Sequence, residues 1–540
     1  MHLQMHASNA PHQVFDAVIF GSGLAGLSCA RRLAVSGQKV VVIEKAKELG
    51  GHLLPFERSG ATFEVGIHYI ADTREGSHFA RSLEKLDVDL TRISLDDEFE
   101  TLIFDGEKSF EGKEKYQINY RTPVSGFIDS LQRDFPAEAE GIRKYFSYLE
   151  LAWSVARQLT FPVGVADVGK IFLRHPHKAR LIFLATRTLQ QVFAHCGLSH
   201  RLREILAVHH VLIGVPPSRV SAFLHMTVQR YYFENAGFIR GGGRAMIDAL
   251  MHPEVRYYNN TDARFEKLRQ PLAGAAGARF RVCLPDGSDI LTRQVVWTAD
   301  PRSLSDAGMG VGLSSWLREK LSRAEAPHAL VVGYYATRKP LQEYGLCNRN
   351  YWLMGDLDSE QCYIETDPLA LASHAPLYMS TGSLRDPEAI RQGNKLGAQG
   401  VFQAMFLCPP NADIWGGEDP DSYRVPESKG GYGRHYRQLK EAVLKNLTQR
   451  ILAQWPQLEG DLVWCELGSP LTHRRYLNSR TLNGYGFAPT VSDLLWKRPS
   501  AWTGEDGLFL CGAHIRPSHG IVTALLNGVG LADLLTTCEH

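Results

Sequence analysis

Apolar residues first gather between Val14 and Phe20 (VFDAVIF), a run suited to a short strand buried on both faces. Gly21-Ser22-Gly23-Leu24-Ala25-Gly26 follows at once, and a helical pattern runs from Leu24 to Ser36 before stopping at Gly37. A second strand, Lys39 to Ile43, closes on Glu44. Residues 140–235 read as mostly helical, rich in Leu, Phe and Ala. Phe280 to Leu284 and Gln294 to Thr298 read as strands on either side of an Asp286-Gly287-Ser288 turn. His435 to Trp455 sets Leu439, Val443, Leu447 and Ile451 four apart, the stripe of a helix packed on a core. The last pattern is a strand within Gly507–Gly512 and, after Pro517-Ser518-His519-Gly520, a helix reaching Leu535.

The order strand, GxGxxG, helix, strand, acid is that of a dinucleotide-binding unit. Gly21 permits the tight turn, Gly23 lets backbone approach a pyrophosphate, and Gly26 brings helix and strand together. Ser22, Leu24 and Ala25 complete a turn whose helix N-terminus offers unpaired N–H groups to phosphate. Glu44, eighteen residues past Gly26 and followed by Lys45, is placed to accept the ribose hydroxyls of an adenosine. Gly50-Gly51 and His52 come soon after, and a second glycine pair there lets the chain fold over toward a flavin, which points to FAD. Gly241-Gly242-Gly243 has no evident buried strand before it and no acid at the right distance after it, so no built-in nicotinamide domain is expected. There is no GxSxG elbow, HExxH helix or Walker loop, so hydrolase, zinc and kinase chemistry have no support and no metal site is expected.

These features resemble the glutathione-reductase-type flavoproteins. More narrowly, GGHLLPFERSGATFEVGIHYI, residues 50–70, is similar to the matching stretch of the phytoene desaturase, carotenoid isomerase and retinol saturase (all-trans-retinol 13,14-reductase) group. Gly237-Phe238-Ile239-Arg240-Gly241-Gly242-Gly243-Arg244 resembles the start of the second part of that group's FAD domain. Tyr334-Tyr335, Asn350-Tyr351-Trp352 and Ser469-Pro470-Leu471-Thr472 resemble the saturase branch.

The resemblance implies an α/β fold, a discontinuous glutathione-reductase-type FAD-binding Rossmann domain with a mixed-sheet and helical substrate domain. The expected FAD domain comprises residues 1–125, 236–305 and 460–540. Residues 126–235 form a helical substrate or membrane-facing segment, and 306–459 the rest of the substrate domain. Further cofactor contacts are implied at Gly66, at Phe265 on the adenine side, and at Gly512, Ala513, His514, Gly520 and Ile521 on the flavin side. Gly512-Ala513-His514 stands where the saturases carry Gly-Gln-Asp and is closer to the Gly-Ala-Ser of carotenoid desaturases, which leaves the redox direction open.

The implied activity is FAD-dependent oxidoreduction at C–C or C=C bonds of a long hydrophobic substrate (polyene, carotenoid, retinoid or unsaturated lipid) by saturation, desaturation or isomerisation. One alternative is a flavin amine oxidase, which sets paired aromatic residues before the flavin; no such pair is identified. The other is a non-catalytic lipid escort like the Rab GDP-dissociation inhibitors, against which Glu44, Gly50-Gly51 and Gly512 count. The flavin carries the hydride or electron chemistry, so a proton donor must lie where substrate meets it. His68 is the first candidate, His514 the second, with His519 behind them and His52 as a flavin contact. Electrons would come from an external nicotinamide or another carrier, or from the substrate.

Composition narrows the setting. Among 540 residues, 44% hydrophobic and 22% charged, Lys+Arg (59) balances Asp+Glu (58), which gives no case for nucleic acid. No uncharged apolar run spans a bilayer, the first dozen residues lack a signal-like apolar stretch, and nine cysteines show no CxxC pair. A cytoplasmic chain with reduced thiols is expected. Lys170, Arg174, Lys178, Arg180 and Arg187 interleave with apolar residues, so 165–190 could make peripheral contact with a membrane.

Overall fold

A computed structural model describes residues 13–105, 115–416, 433–477, 479–493 and 497–537. The first dozen residues, on which the signal expectation rested, lie outside them.

The first unit forms as the pattern requires. β1 (Val14–Phe20) leads into α1 (Leu24–Val35) and then β2 (Val40–Ile43), parallel to β1 with Phe20 opposite Ile43. Every residue of β2 is buried, which a continuous apolar run demands. The sheet is completed by β3 (Arg256–Tyr258), β4 (Arg264–Lys267), β5 (Phe280–Cys283), β6 (Asp289–Trp297), β7 (Gly308–Met309) and β8 (Leu508–Leu510). Its order is β3-β2-β1-β6-β5-β4-β7, with β8 also on β6. β6 branches the sheet: Thr292 pairs antiparallel with Phe280 of β5, whereas Trp297 pairs parallel with Leu510 of β8. The strand expected from Gln294 therefore starts five residues earlier, at Asp289, directly after the turn. Arg293 had broken the apolar run.

The closing helix α2 (Ile521–Thr537) lies against α1. A Cβ on Gly528 would fall 2.1 Å from Ser28 Oγ and 2.5 Å from the Ala25 carbonyl oxygen, so bare backbone is what lets the two helices touch. Arg32 and Asp533 add an ion pair at 2.6 Å.

A second, mixed sheet of seven strands follows the order Leu462–Gly468, Ala329–Thr337, Gly400–Cys408, Leu377–Ser380, Asn350–Met354, Glu100–Asp105, Lys115–Tyr120. All neighbours are antiparallel except Asn350–Met354 with Glu100–Asp105. The helix Arg434–Gln454 packs on it through Val443, Leu447 and Ile451, with Leu439 partly buried. Residues 124–234 are largely helical, and Ala139–Ala156 packs on Ala222–Glu234.

Three expectations change. Glu100–Asp105 and Lys115–Tyr120 belong to the seven-stranded sheet and not to the dinucleotide sheet expected to take in residues 1–125. Leu462–Gly468 belongs to the seven-stranded sheet too, and not to the dinucleotide sheet expected to take in residues 460–540. Local alternation predicts a strand but not which sheet receives it. Finally, a buried strand, Ala236–Ile239, does precede Gly241-Gly242-Gly243. It pairs antiparallel with Ile70–Ala71 and Arg92–Ser94, away from the dinucleotide sheet, so no second nucleotide unit is formed.

Candidate functional site

A cavity of about 1140 Å³ runs from the C-terminal ends of β1 and β2 into the helical segment, somewhat above the range of about 300–1,000 Å³ usual for small-molecule sites. At its first end, Gly21 adopts φ +101°, and a Cβ there would lie 2.4 Å from Thr298 Oγ1. A Cβ on Gly26 would lie 2.0 Å from the Gly21 carbonyl oxygen, whereas one on Gly23 would meet nothing within 4 Å. The first two glycines are thus required by packing, and the third leaves space in the cavity itself. α1 has no side-chain cap, so the unpaired amides of its first turn, at Leu24, Ala25 and Gly26, sit in the cavity wall.

Glu44 faces the same space. Its Oε2 accepts from the Ser22 amide at 2.8 Å and Ser22 Oγ at 2.7 Å, and its Oε1 from the Ala46 amide at 2.8 Å. Ser22 Oγ in turn accepts from the Gly50 amide at 3.0 Å. Ser22 and Gly50 therefore stand behind the wall and orient it, while Lys45, Gly51, His52 and Gly66 line it. Lys45 pairs with Asp262 at 2.9 Å. A Cβ on Gly51 would lie 3.2 Å from Gly23 Cα, so the second glycine pair folds directly onto the first turn.

Phe265 is a correction. Its ring is fully buried against Phe20, Phe280 and Trp297, and the adenine-side wall is formed by Thr261, Asp262, Ala263 and Arg264. Strand alternation turns Phe265 into the core.

At the other end, Gly512 (φ +102°), Ala513, His514, Gly520 (φ +115°) and Ile521 line the cavity together, and Asn527 Nδ2 donates to the Gly512 carbonyl at 3.1 Å. His52 Nε2, His514 Nδ1, Ser518 Oγ and His519 Nδ1 are buried polar atoms without a protein partner, and all four residues line the cavity. Buried polar atoms are normally satisfied. An open cradle at Gly23, uncapped helix amides and these orphaned atoms fit a bound flavin dinucleotide with acceptors and donors along its length.

Five histidines crowd this region. Burial lowers His52 to about 3 with help from His473 and His514, and lowers His514 to about 4 and His519 to about 3. His68 falls to about 4 through burial and the nearby Arg385 guanidinium, which donates to the His68 carbonyl. Its Nδ1 lies 3.0 Å from Gln403 Oε1, while Gln403 Nε2 donates to the Glu64 carbonyl at 2.8 Å. That amide orientation gives His68 the Nδ1–H tautomer. At neutrality His68 and His514 are uncharged, and in this tautomer His68 has Nε2 as an acceptor.

Leu159, Phe161, Val211, Leu212, Phe223 and Leu224 of the helical segment also line this cavity, as do Tyr69, Tyr232 and Tyr378. Tyr69 and Tyr232 stack on each other at 4.2 Å, leaving no slot for a substrate between them. Glu100, behind Tyr69, is engaged by Tyr69 Oη at 2.7 Å and His209 Nε2 at 2.9 Å. The carboxylates in the wall among the described residues, Glu44, Asp262, Asp300 and Asp306, all follow or lie between strands of the dinucleotide sheet.

Sequence reasoning missed Gln403, His473, Arg385 and the tyrosine wall. Gln403 had a signal: it is the one amide in the otherwise apolar strand Gly400–Cys408. His473, on the short helix Pro470–Leu477, had none.

The family described as flavin containing amine oxidoreductase matches residues 24–536. All-trans-retinol 13,14-reductase of Homo sapiens is 24% identical over 498 residues, covering 88% of this chain and 77% of the relative. The neurosporene-forming phytoene desaturase of Rhodobacter capsulatus is 23% identical over 540 residues, covering 96% and 93%. A chloroplastic prolycopene isomerase of an Oncidium hybrid cultivar is 21% identical over 551 residues, covering 95% and 82%. Wild-type putrescine oxidase bound to putrescine shares the fold, with a TM-score of 0.61 and 14% identity over 98% of this chain and 100% of that one. Taken with the geometry, the match over nearly the whole chain decides between enzyme and escort: the chain belongs to the flavin containing amine oxidoreductase family and is an FAD-dependent oxidoreductase.

Proposed function

We propose that this enzyme acts on C–C or C=C bonds of a long apolar substrate such as a polyene, retinoid or unsaturated lipid. The observation that carries this reading is the apolar lining that the helical segment gives the cavity, Leu159, Phe161, Val211, Leu212, Phe223 and Leu224, with no carboxylate from that segment among the described residues to receive an ammonium group. Resemblance to relatives named for retinol reduction, phytoene desaturation and prolycopene isomerisation supports it. The closed Tyr69–Tyr232 stack weighs against an amine lodged between two rings.

The residues divide the work. Gly21, Gly23, Gly26 and the first amides of α1 hold the pyrophosphate, and Glu44 the adenosine ribose. Gly51, His52, Gly66, Gly512, Ala513, His514, Gly520 and Ile521 surround the flavin end. FAD bound there supplies two-electron hydride chemistry. His68 takes up or returns the accompanying proton at Nε2, while the apolar walls exclude water.

The helix pair Val165–Arg174 and Lys178–Thr186 serves as a membrane-facing portal. Leu173 is 72% exposed and Ile182 56%, and residues 165–190 carry five Lys or Arg against Asp167 alone. Leu159 and Phe161, just ahead of this pair, line the cavity, so a lipid-borne substrate has a short way in. No described helix is long and apolar enough to cross a membrane.

The test is anaerobic incubation of oxidised and reduced holoenzyme with candidate polyenes and unsaturated lipids, followed by product mass. A gain of two hydrogens identifies saturation, a loss desaturation, and an unchanged mass with altered retention isomerisation. Turnover of primary amines with no change in any polyene would overturn the reading.

A further inference from the structure

We propose that a second, smaller cavity behind His68 is the passage through which the reaction chamber exchanges protons with solvent, and that Glu64 is its relaying carboxyl. The inference rests on the large cavity being that chamber. The second cavity measures about 240 Å³, and His68 is the one residue lining both among the described residues. A polar space of this size holds water.

Its outer rim carries Glu57 and Arg391, paired at 2.9 Å with side chains 42% and 68% exposed, so it reaches solvent there. Its floor holds two carboxyls at the start of the helix Gly242–Leu250. Glu64 accepts from the Gly243 amide at 3.2 to 3.3 Å, and Asp386 from the Gly241 amide at 2.8 Å. A Cβ on Gly242 would fall 1.9 Å from Glu64 Oε1. The glycine triplet, which does not line the large cavity, thus makes room for a half-buried acid.

Charge around the pair suits proton exchange. Burial and Asp386 raise Glu64 to about 8, opposed by the Gly243 amide and Arg244. Glu388 lines the same space, and Arg385 lies beneath His68. Glu64 therefore holds a proton at neutrality and releases it slightly above.

Gln403 lines the small cavity and not the large one, so the Nδ1–H edge of His68 faces the passage. A proton arriving at Nε2 forms an N–H bond and an imidazolium. Water in the small cavity then displaces Gln403 Oε1 from Nδ1–H, that bond breaks with its electron pair staying on Nδ1, and the proton passes through the water to one Glu64 oxygen. The other oxygen releases a proton past Glu57 and Arg391 to solvent. The reverse sequence delivers a proton inward.

The test needs no substrate, so its failure is separable from failure of the functional reading. Infrared spectra of the FAD-bound protein should show a protonated carboxyl lost with a midpoint near 8, and absent in Glu64→Gln. Nuclear magnetic resonance of ¹⁵N-histidine-labelled holoprotein, with His68 assigned through His68→Gln, reads exchange of its Nδ1–H with water. Glu64→Gln should slow that exchange on the order of a hundredfold, the lower end of general acid–base effects, and Glu64→Asp should restore part of it. Should Glu64→Gln not fold, Ala389→Leu, which narrows the passage and keeps the acid, should slow exchange likewise. Exchange at the wild-type rate in the folded variant tested, or a Glu64 ionised well below neutrality, would overturn the proposal.

Discussion

Ser22 Oγ lies 2.7 Å from Glu44 Oε2 while also accepting from the Gly50 amide at 3.0 Å, so one hydroxyl braces the ribose acid against the second glycine pair. Ser22→Ala leaves the buried Gly50 amide without its partner. Leaving a buried donor unpaired costs about 1–3 kcal/mol. We expect reduced thermal stability and weaker FAD retention together, read by calorimetry and flavin fluorescence; unaltered FAD affinity would show that the brace is irrelevant to the cofactor.

The glycines of the first turn should separate in their effects. Gly26→Ala places a methyl 2.0 Å from the Gly21 carbonyl oxygen, an overpacking that typically costs about 1–3 kcal/mol. Gly23→Ala meets no protein atom within 4 Å, so the fold should be kept. Its methyl takes space needed by the pyrophosphate, and FAD affinity should fall at least tenfold, about 1.4 kcal/mol. Circular dichroism and flavin titration of both variants decide the matter.

His68→Gln should retain FAD and lose most turnover, because a general base typically contributes about 10²–10⁴-fold. Gln403→Leu should give a milder loss with a shifted pH profile, since it frees the Nδ1–H edge without removing the ring. Full turnover by His68→Gln would remove this residue from the chemistry.

Acid should release the cofactor. Unfolded histidine titrates near 6.5, whereas half-buried His52, His68, His514 and His519 are held to about 3 or 4. Between those values the unfolded chain binds more protons than the folded one, so stability rises with pH. The stabilising contribution is complete above about 6.5, drains away as pH falls toward 3, and changes little below. Melting temperature and flavin release followed downward from neutrality should show this. A pH-independent melting temperature across that window would contradict it.

Leu173→Asp and Ile182→Asp, both at exposed positions, should cut co-sedimentation with anionic phosphatidylserine vesicles and spare FAD content. Equal sedimentation of variants and wild type would place the lipid contact elsewhere.

The dinucleotide end was legible in the sequence because its constraints are local. A turn that needs Gly21, a close approach that needs Gly26 and an acid at the end of a strand leave marks a few residues apart. Phe265 was misjudged because a motif fixes a strand's place and not which way each side chain points. His68 was legible as a residue but its neutral state was not, since Arg385 and Gln403 reach it from more than three hundred positions away. Sheet membership of Glu100–Asp105 was hidden for the same reason: its partner, Asn350–Met354, lies far along the chain.

The contact of Gly528 with Ser28 has a bearing on how the molecule is born. A nascent chain emerges N-terminus first, and domains tend to fold as they appear. Here the opening βαβ unit must wait for β8 and α2, almost five hundred residues later, before its coenzyme cradle has a far wall. Until Leu508–Leu510 has been made, the sheet that holds Val14–Phe20 and Val40–Ile43 lacks one of its strands. Flavin capture as a late event in maturation follows from one close helix crossing at Gly528.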